Sequence, residues 1–253
     1  MKKRLRVLAE HFPLCDTVCD WEERGLNPSR IPSVLEEAFR GELDHIRLYN
    51  NNGKYKWVFL GDYHAQPWVI YVGRYSSPKH YRNEHSLLRA LHTAVPQFFP
   101  STSLHWKMDS PHDIDTQGID SPILSVSLVE SLIHMETAWD FRERRRDHPS
   151  YPLYLEILAR QEGYAAGFVL GKTKLVLTDP HPLNTLVYPV SDEELIIKFV
   201  DAERLLYCGD FSLSIQRLRE EYNDVQHVRT EVIKNEDLFL QGLEQGLQDS
   251  EEC

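Results

Sequence analysis

Short strand-like runs separated by polar turn residues characterise the first third of the chain. These runs, residues 44–49, 55–60 and 68–72, contain β-branched and aromatic residues, which are typical of strands. Residues 50–54 and 62–67 separate these stretches and contain residues that favour turns. The pattern predicts an antiparallel meander of three strands.

Helical spacing appears on both sides of this meander. Ser33 is placed to cap a short helix over residues 34–40. A second helix is predicted over residues 81–93, with leucines on one face and Glu84 in its first turn. Residues 95–121 are predicted to be mainly loop, because three prolines interrupt them.

The pattern then becomes mainly helical, after one further predicted strand over residues 122–129. A strongly charged helix is predicted over residues 135–145, and Pro152 opens a longer one. Apolar residues recur along the longer helix at helical spacing and predict a buried stripe, made up of Leu153, Ile157, Tyr164 and Phe168. Two more helices are predicted, one around residues 215–222 and one over residues 237–247.

Charge and hydropathy exclude several functional classes. The 253 residues carry 28 lysines and arginines against 39 aspartates and glutamates, which gives a formal net charge of −11. This acidic balance argues against nucleic acid or an anionic membrane as the main partner. No apolar run approaches the length of a membrane span. No signal peptide is evident, so we expect a cytoplasmic protein.

The strongest chemical signal is a polar loop between two apolar stretches. Asp179 and Asn184 lie five residues apart in it, and Asp201 ends the strand-like run that follows. In phosphoryl transfer from a nucleotide, one carboxylate takes up the acceptor's proton, while an amide and a second carboxylate hold magnesium against the phosphates. The pattern therefore predicts Asp179 as the base or the group that orients the acceptor, and Asn184 and Asp201 as metal ligands.

The two motifs of this site resemble those of known kinases. Residues 179–184, Asp-Pro-His-Pro-Leu-Asn, resemble the Asp-Pro-His-Pro-Gly-Asn loop of the ABC1/UbiB atypical kinases, with Leu183 in place of glycine. Residues 200–203, Val-Asp-Ala-Glu, are similar to the second motif of the aminoglycoside and choline phosphotransferases. The order of predicted elements over residues 43–222 resembles that of the protein-kinase-like superfamily.

This resemblance implies an α+β, two-lobed protein-kinase-like fold. It would place an N-terminal extension at residues 1–42, an N-lobe built on an antiparallel sheet at residues 43–130, and a compact, mostly helical C-lobe at residues 131–253. Glu84 would be the helix carboxylate that orients a phosphate-binding lysine.

ATP and Mg²⁺ are the cofactors that the resemblance implies. Asn51, Asn52 and Gly53 would form the turn over the phosphates. Val129 and Glu130 would lie at the hinge beside the adenine, which backbone groups would recognise.

The lysine itself is missing from its expected position, because the third strand carries Tyr71 there. Arg74, at the end of that strand, or Lys56, on the neighbouring strand, would have to supply the positive charge, and the sequence leaves both open. Arginine binds phosphate well, although its geometry differs from that of lysine.

The sequence thus predicts an ATP- and magnesium-dependent phosphotransferase of atypical kinase type. A protein serine or threonine hydroxyl is favoured as the acceptor over a small-molecule alcohol. Tyr71 motivates the alternative of a pseudokinase, a nucleotide-binding scaffold that transfers nothing. A third possibility is nucleotidyl transfer to a hydroxyl from the same pocket.

Overall fold

The predicted meander forms the first three strands of a five-stranded antiparallel sheet. The strands are β1 (Leu43–Asn50), β2 (Lys56–Tyr63), β3 (Gln66–Gly73), β4 (Thr102–Asp109) and β5 (Ile123–Glu130). Their order in the sheet is β1-β2-β3-β5-β4. The antiparallel N-terminal sheet expected from the sequence is therefore confirmed.

The structure is a computed structural model, and it describes residues 29, 31–50, 56–73, 78–109, 123–132, 134–177, 182–191, 193–201, 205–207 and 235–252. Two predicted segments, most of the N-terminal extension and the helix around residues 215–222, lie outside the described residues. The chain divides into two compact units. One contains the five-stranded sheet, and the other contains the helices and small sheets of the C-terminal half. The predicted lobe boundaries remain predictions.

Side chains that alternate along the strands give the large sheet two different faces. On one face, Trp57, Phe59 and Ile70 are fully buried against helix α1 (Ile31–Ala38), which contributes Ile31 and Leu35 to the same core. Burying each such side chain contributes about 2 kcal/mol. The other face carries Tyr71, which lies between the core residues 70 and 72, and Ser127, which lies between the core residues 126 and 128.

Strand β4 corrects the prediction of loop over residues 95–121. This strand of eight residues pairs with β5, with Thr102 opposite Val129 and Asp109 opposite Ile123, and the register shifts between Thr102 and His105. The prolines of this stretch lie outside the strand and bound it, since Pro100 precedes it and Pro111 follows it. These prolines set the limits of β4, which lies at the edge of the sheet, where proline is tolerated. They do not prevent the strand from forming.

Helix α2 (Pro78–Ala94) confirms the second predicted helix and shifts its start. Leu87, Leu88 and Leu91 are buried, as the spacing predicted. Because the helix begins at Pro78, Glu84 lies in its second turn, so the prediction of a first-turn position is wrong. Proline at the first helical position explains the earlier start, since its fixed φ suits a helix there.

In its described residues, the C-terminal half of the chain contains three helices and two small antiparallel sheets. Its helices are α3 (Ala138–Arg145), α4 (Tyr151–Thr173) and α5 (Glu236–Glu252). One sheet has the order β6-β8-β9, and the other pairs β10 with β7. These strands are β6 (Glu136–Thr137), β7 (Leu175–Leu177), β8 (Thr185–Pro189), β9 (Leu195–Phe199) and β10 (Leu205–Tyr207). No helix in the described ranges is both long enough and apolar enough to span a bilayer.

Helices α4 and α5 pack through glycines. A Cβ atom on Gly163 or Gly167 would overlap the carbonyl of Phe239 or Leu243 in α5. A Cβ atom on Gly242 or Gly246 would likewise overlap carbonyl oxygens of α4. Glycines four residues apart on both helices let the two backbones approach closely. Ascending residues of α4 meet ascending residues of α5, so the helices run parallel.

This contact corrects the buried stripe predicted for α4. Phe168 is buried, but Leu153 is 45% exposed, and Tyr164 and Ile157 are only partly buried. The packed face is the one that carries the glycines and small residues. The apolar spacing identified the large side chains of α4, whereas the closest contact with α5 is made at glycines, which have no side chain.

Candidate functional site

The predicted metal ligands lie next to each other at one end of a hairpin. β8 and β9 are antiparallel, with Thr185 opposite Phe199. Asn184 directly precedes β8 and Asp201 follows β9 by two residues. The Val200 N–H donates a hydrogen bond of 3.0 Å to the carbonyl oxygen of Asn184, which extends the ladder by one position. The structure therefore brings Asn184 and Asp201 together although 16 residues separate them in sequence.

The second small sheet is joined to the hairpin by the two segments that carry the predicted triad. β7 pairs with β10 in antiparallel register, with Leu177 opposite Leu205. In the sequence, residues 178–184 join Leu177 to Thr185, and residues 200–204 join Phe199 to Leu205. Asp179 itself lies outside the described residues, so its role stays a prediction.

The strand residues of the hairpin are more deeply buried than the two polar residues at its end. Thr185, Val187, Ile197 and Phe199 are buried, whereas Asn184 and Asp201 are half-buried. Phe199 lies against Phe99, with ring centroids 5.9 Å apart. The apolar strand residues fix the backbone, and the two polar side chains at its end stay accessible to a ligand.

The donor set of the site suits magnesium bound together with a phosphate group. A carboxylate and an amide oxygen are hard oxygen ligands of the type that Mg²⁺ prefers. Within the described ranges, no group of three or more His, Cys, Asp and Glu side chains is placed to hold a metal ion. A two-residue oxygen set fits Mg²⁺, which usually combines one or two protein ligands with waters and substrate phosphates.

The loop that carries Asn184 is attached to the first turn of helix α3. The Trp139 N–H donates to the carbonyl oxygen of Pro182 at 3.3 Å. Thr137 caps the same turn, because its hydroxyl accepts a hydrogen bond of 3.0 Å from the Asp140 N–H. Backbone bonds at Pro182 and at Asn184 thus hold the loop on both sides of Leu183.

Sequence analysis missed this attachment and began the helix three residues too early. The pattern Thr137-Ala-Trp-Asp140 resembles a capping box, with a hydroxyl at the cap and a carboxylate three residues later. It places the start of the helix at Ala138, as observed. Glu136 and Thr137 instead form β6, which pairs with β8.

The residues predicted to contact adenine end the central strand β5. Val129 is buried between β3 and β4, with Val69 and Thr102 as its register partners. The Glu130 N–H donates to the Ser101 carbonyl oxygen at 2.9 Å, and the Glu130 carboxylate accepts from the Ser101 N–H at 2.9 Å. The N–H of Glu130 is therefore already used, which leaves other main-chain groups of this segment for an adenine.

A cluster of polar side chains occupies the position where a lysine was expected. Tyr71 is 5% exposed and lies opposite Ser127 on the neighbouring strand. The Ser127 hydroxyl and the Nδ1 atom of His85, on helix α2, share a buried hydrogen bond of 3.1 Å. The sheet face that would carry the phosphate-binding cation thus has a tyrosine, a serine and a histidine at this point.

The other predicted site residues cannot be located in the same detail. Arg74, Asn51, Asn52 and Gly53 lie outside the described residues. Lys56 is described only as the first backbone position of β2, and Glu84 only as a backbone position of α2. Their assigned roles, and the choice between Arg74 and Lys56, remain predictions.

Comparison with known proteins supports the fold. No protein-family model matches the chain, and no curated protein matches it. A solved structure of WaaP in complex with acyl carrier protein matches 88% of this chain and 89% of its own, with a TM-score of 0.53 and 12% sequence identity. At this identity the likeness shows the fold alone. The chain has a mixed α+β, kinase-like fold, with an antiparallel N-terminal sheet and a helical C-terminal part.

Proposed function

We propose that the protein is an ATP- and Mg²⁺-dependent phosphotransferase that acts on a hydroxyl group. The observation that supports this most is that Asn184 and Asp201 lie next to each other at the end of the β8–β9 hairpin. An amide and a carboxylate placed together could hold the magnesium that phosphoryl transfer needs. A kinase-like fold agrees with this proposal.

Each residue of the predicted triad has one role in the reaction. The Asp201 carboxylate and the Asn184 amide oxygen would hold the cation together with the nucleotide phosphates. When bound, Mg²⁺ neutralises charge on those phosphates. The oxygen of the acceptor hydroxyl bonds to the γ-phosphorus, and the bond between that phosphorus and ADP breaks. The Asp179 carboxylate takes up the proton that the hydroxyl releases.

Phosphate transfer in the presence of ATP and Mg²⁺ tests the proposal. The wild-type protein should convert ATP to ADP with a phosphorylated product or an autophosphorylated chain, and mass spectrometry should detect added phosphate. Asp201→Ala should abolish the transfer, because half of the metal-binding set is lost, while Leu153→Ala, an exposed change on α4, should retain it. Transfer that survives Asp201→Ala would remove Asp201 from the mechanism. Addition of AMP would instead establish nucleotidyl transfer.

A pseudokinase is the second candidate, and the buried Tyr71 favours it specifically. A buried phenol cannot replace the charge of a lysine beside the phosphates. A thermal-shift titration separates the candidates, since ATP with Mg²⁺ should stabilise either protein by binding its folded state, but only the enzyme should then form a phosphorylated product. No shift and no transfer would point to a protein that acts through interactions alone.

A further inference from the structure

Two large apolar side chains are exposed beside the candidate site. Trp139 is 47% exposed and Leu183 is 46% exposed. The Trp139 N–H bonds to the residue before Leu183, and Leu183 directly precedes Asn184. Single exposed apolar residues are ordinary on a protein surface, but a pair joined at a loop that carries a proposed ligand indicates a binding surface.

Most arginines of helix α3 and of the residue that follows it form ion pairs with nearby glutamates. Arg144 and Arg145 form ion pairs with Glu136, and Arg146 forms one with Glu143 at 2.5 Å. The Asp140 carboxylate accepts a hydrogen bond from the Thr137 hydroxyl at 2.7 Å. Residues 136–147 contain equal numbers of arginines and carboxylates, so this segment is not a basic patch for an acidic macromolecule.

Arg142 differs from the other arginines of the helix. It is half-buried, and it has no ion-pair or hydrogen-bond partner in the part of the chain that the structure describes. It follows Trp139 by three residues, so the two side chains are neighbours on the helix surface. Helical side chains lean toward the N-terminus, which for α3 is the end that binds Pro182.

We propose that Trp139, Leu183 and Arg142 recognise the acceptor, and that the acceptor is a small alcohol with an apolar body and a carboxylate. This inference rests on the phosphotransferase function proposed above. The apolar body would cover the two exposed side chains, whose burial favours binding. The guanidinium of Arg142 would form charge-assisted hydrogen bonds with the carboxylate.

The size of this surface favours a small molecule over a protein acceptor. A specific protein interface needs about 1,000 Å² of buried surface or more, whereas this surface has two apolar side chains and one cation. The net charge of −11 also disfavours a polyanionic acceptor. Among the described residues, Arg142 is the only arginine of α3 without a carboxylate partner.

Calorimetric binding in the absence of ATP tests the acceptor class apart from phosphate transfer. Three probes form a matched set: 3-hydroxydecanoate, the short 3-hydroxybutyrate, and the uncharged 1,3-decanediol. The wild-type protein should bind 3-hydroxydecanoate at least tenfold more tightly than either of the others. Leu183→Ser should weaken its binding about tenfold. Arg142→Gln should remove the preference for 3-hydroxydecanoate over the diol and leave binding of the diol unchanged.

Two matched variants control for non-specific effects. Leu153→Ser changes a leucine of similar exposure on α4, and Arg89→Gln changes an exposed arginine on α2. Both should bind the three probes as the wild type does. Equal affinity for the three probes, or loss of binding in Leu153→Ser as large as in Leu183→Ser, would overturn the inference. The predicted binding pattern without any phosphate transfer would support the surface and remove the proposed reaction.

Discussion

The α4–α5 contact and the end of the β8–β9 hairpin belong to the same unit but differ in their side chains. At the helix contact, glycines remove side chains, and the backbones approach so closely that Gly167 has no room for a methyl group. At the hairpin end, Asn184 and Asp201 keep polar side chains that are only half-buried. The helix contact is tightly packed and contains no predicted site residue, whereas the hairpin end carries the two predicted metal ligands and is packed less tightly. Stability and function should therefore respond to different residues.

Gly167→Ala should show the largest effect on stability. Its Cβ would overlap the Leu243 carbonyl, and backbone cannot move aside as a flexible side chain can. The free energy of unfolding should fall by about 2 kcal/mol, although alanine in a helix is favoured over glycine by about 1 kcal/mol. Urea unfolding followed by circular dichroism measures it. Gln248→Ala, at an exposed position of α5, should change stability by less than about 0.5 kcal/mol.

A double substitution sharpens this prediction. A Cβ on Gly171 would overlap the side chain of Ser250, so Gly171→Ala alone should destabilise the helix pair. Adding Ser250→Gly removes that side chain and should restore part of the lost stability. Equal stability of the single and double variants would mean that the two helices do not contact each other at this point.

The sheet and the main helices could be predicted because local pattern decides them. Strand-like runs between turn residues marked β1 to β3, and helical spacing marked the leucines of α2. The helix contact could not be predicted in the same way, since apolar spacing identifies large side chains such as Leu153, which is exposed. The glycines at 163, 167 and 171 recur every fourth residue in the sequence, and that spacing is a signal for close helix packing.

Thr137→Ala should have a smaller effect, confined to the attachment of the site loop. The substitution removes the hydroxyl that caps α3 and should cost about 1 kcal/mol. Hydrogen exchange of the Trp139 and Asp140 amides should become faster, because both N–H groups belong to the capped turn. Thr137→Ser keeps the hydroxyl and should keep slow exchange. Unchanged exchange in Thr137→Ala would show that the cap does not hold this turn.

Lys198→Met should have the smallest effect of the series. The Lys198 ammonium donates to the Pro96 carbonyl oxygen at 2.8 Å and lies 3.5 Å from that of Phe99. Because the ammonium is partly exposed, losing these bonds should cost about 0.5 kcal/mol. Thermal unfolding should show a small shift, while the Phe199 N–H keeps its bond of 2.8 Å to the Phe98 carbonyl. A loss as large as that of Gly167→Ala would contradict the assignment.

Only part of the candidate site could be predicted from the sequence. The types and order of Asp179, Asn184 and Asp201 indicated phosphate chemistry, and the proximity of Asn184 and Asp201 follows from the pairing of β8 with β9. The attachment of Pro182 to α3 depends on tertiary structure and leaves no periodic signal. The hydrogen bonds between Glu130 and Ser101 likewise could not be predicted, because the residue types at a hinge do not indicate them.

The affinity for ATP with and without Mg²⁺ tests the central claim most directly. Isothermal titration of the wild-type protein should show at least tenfold tighter ATP binding with Mg²⁺ than without it. Asp201→Asn and Asn184→Ala should lose most of this difference while unfolding at the wild-type urea midpoint. If Mg²⁺ strengthens ATP binding equally in the wild type and in both variants, then Asn184 and Asp201 do not hold the metal.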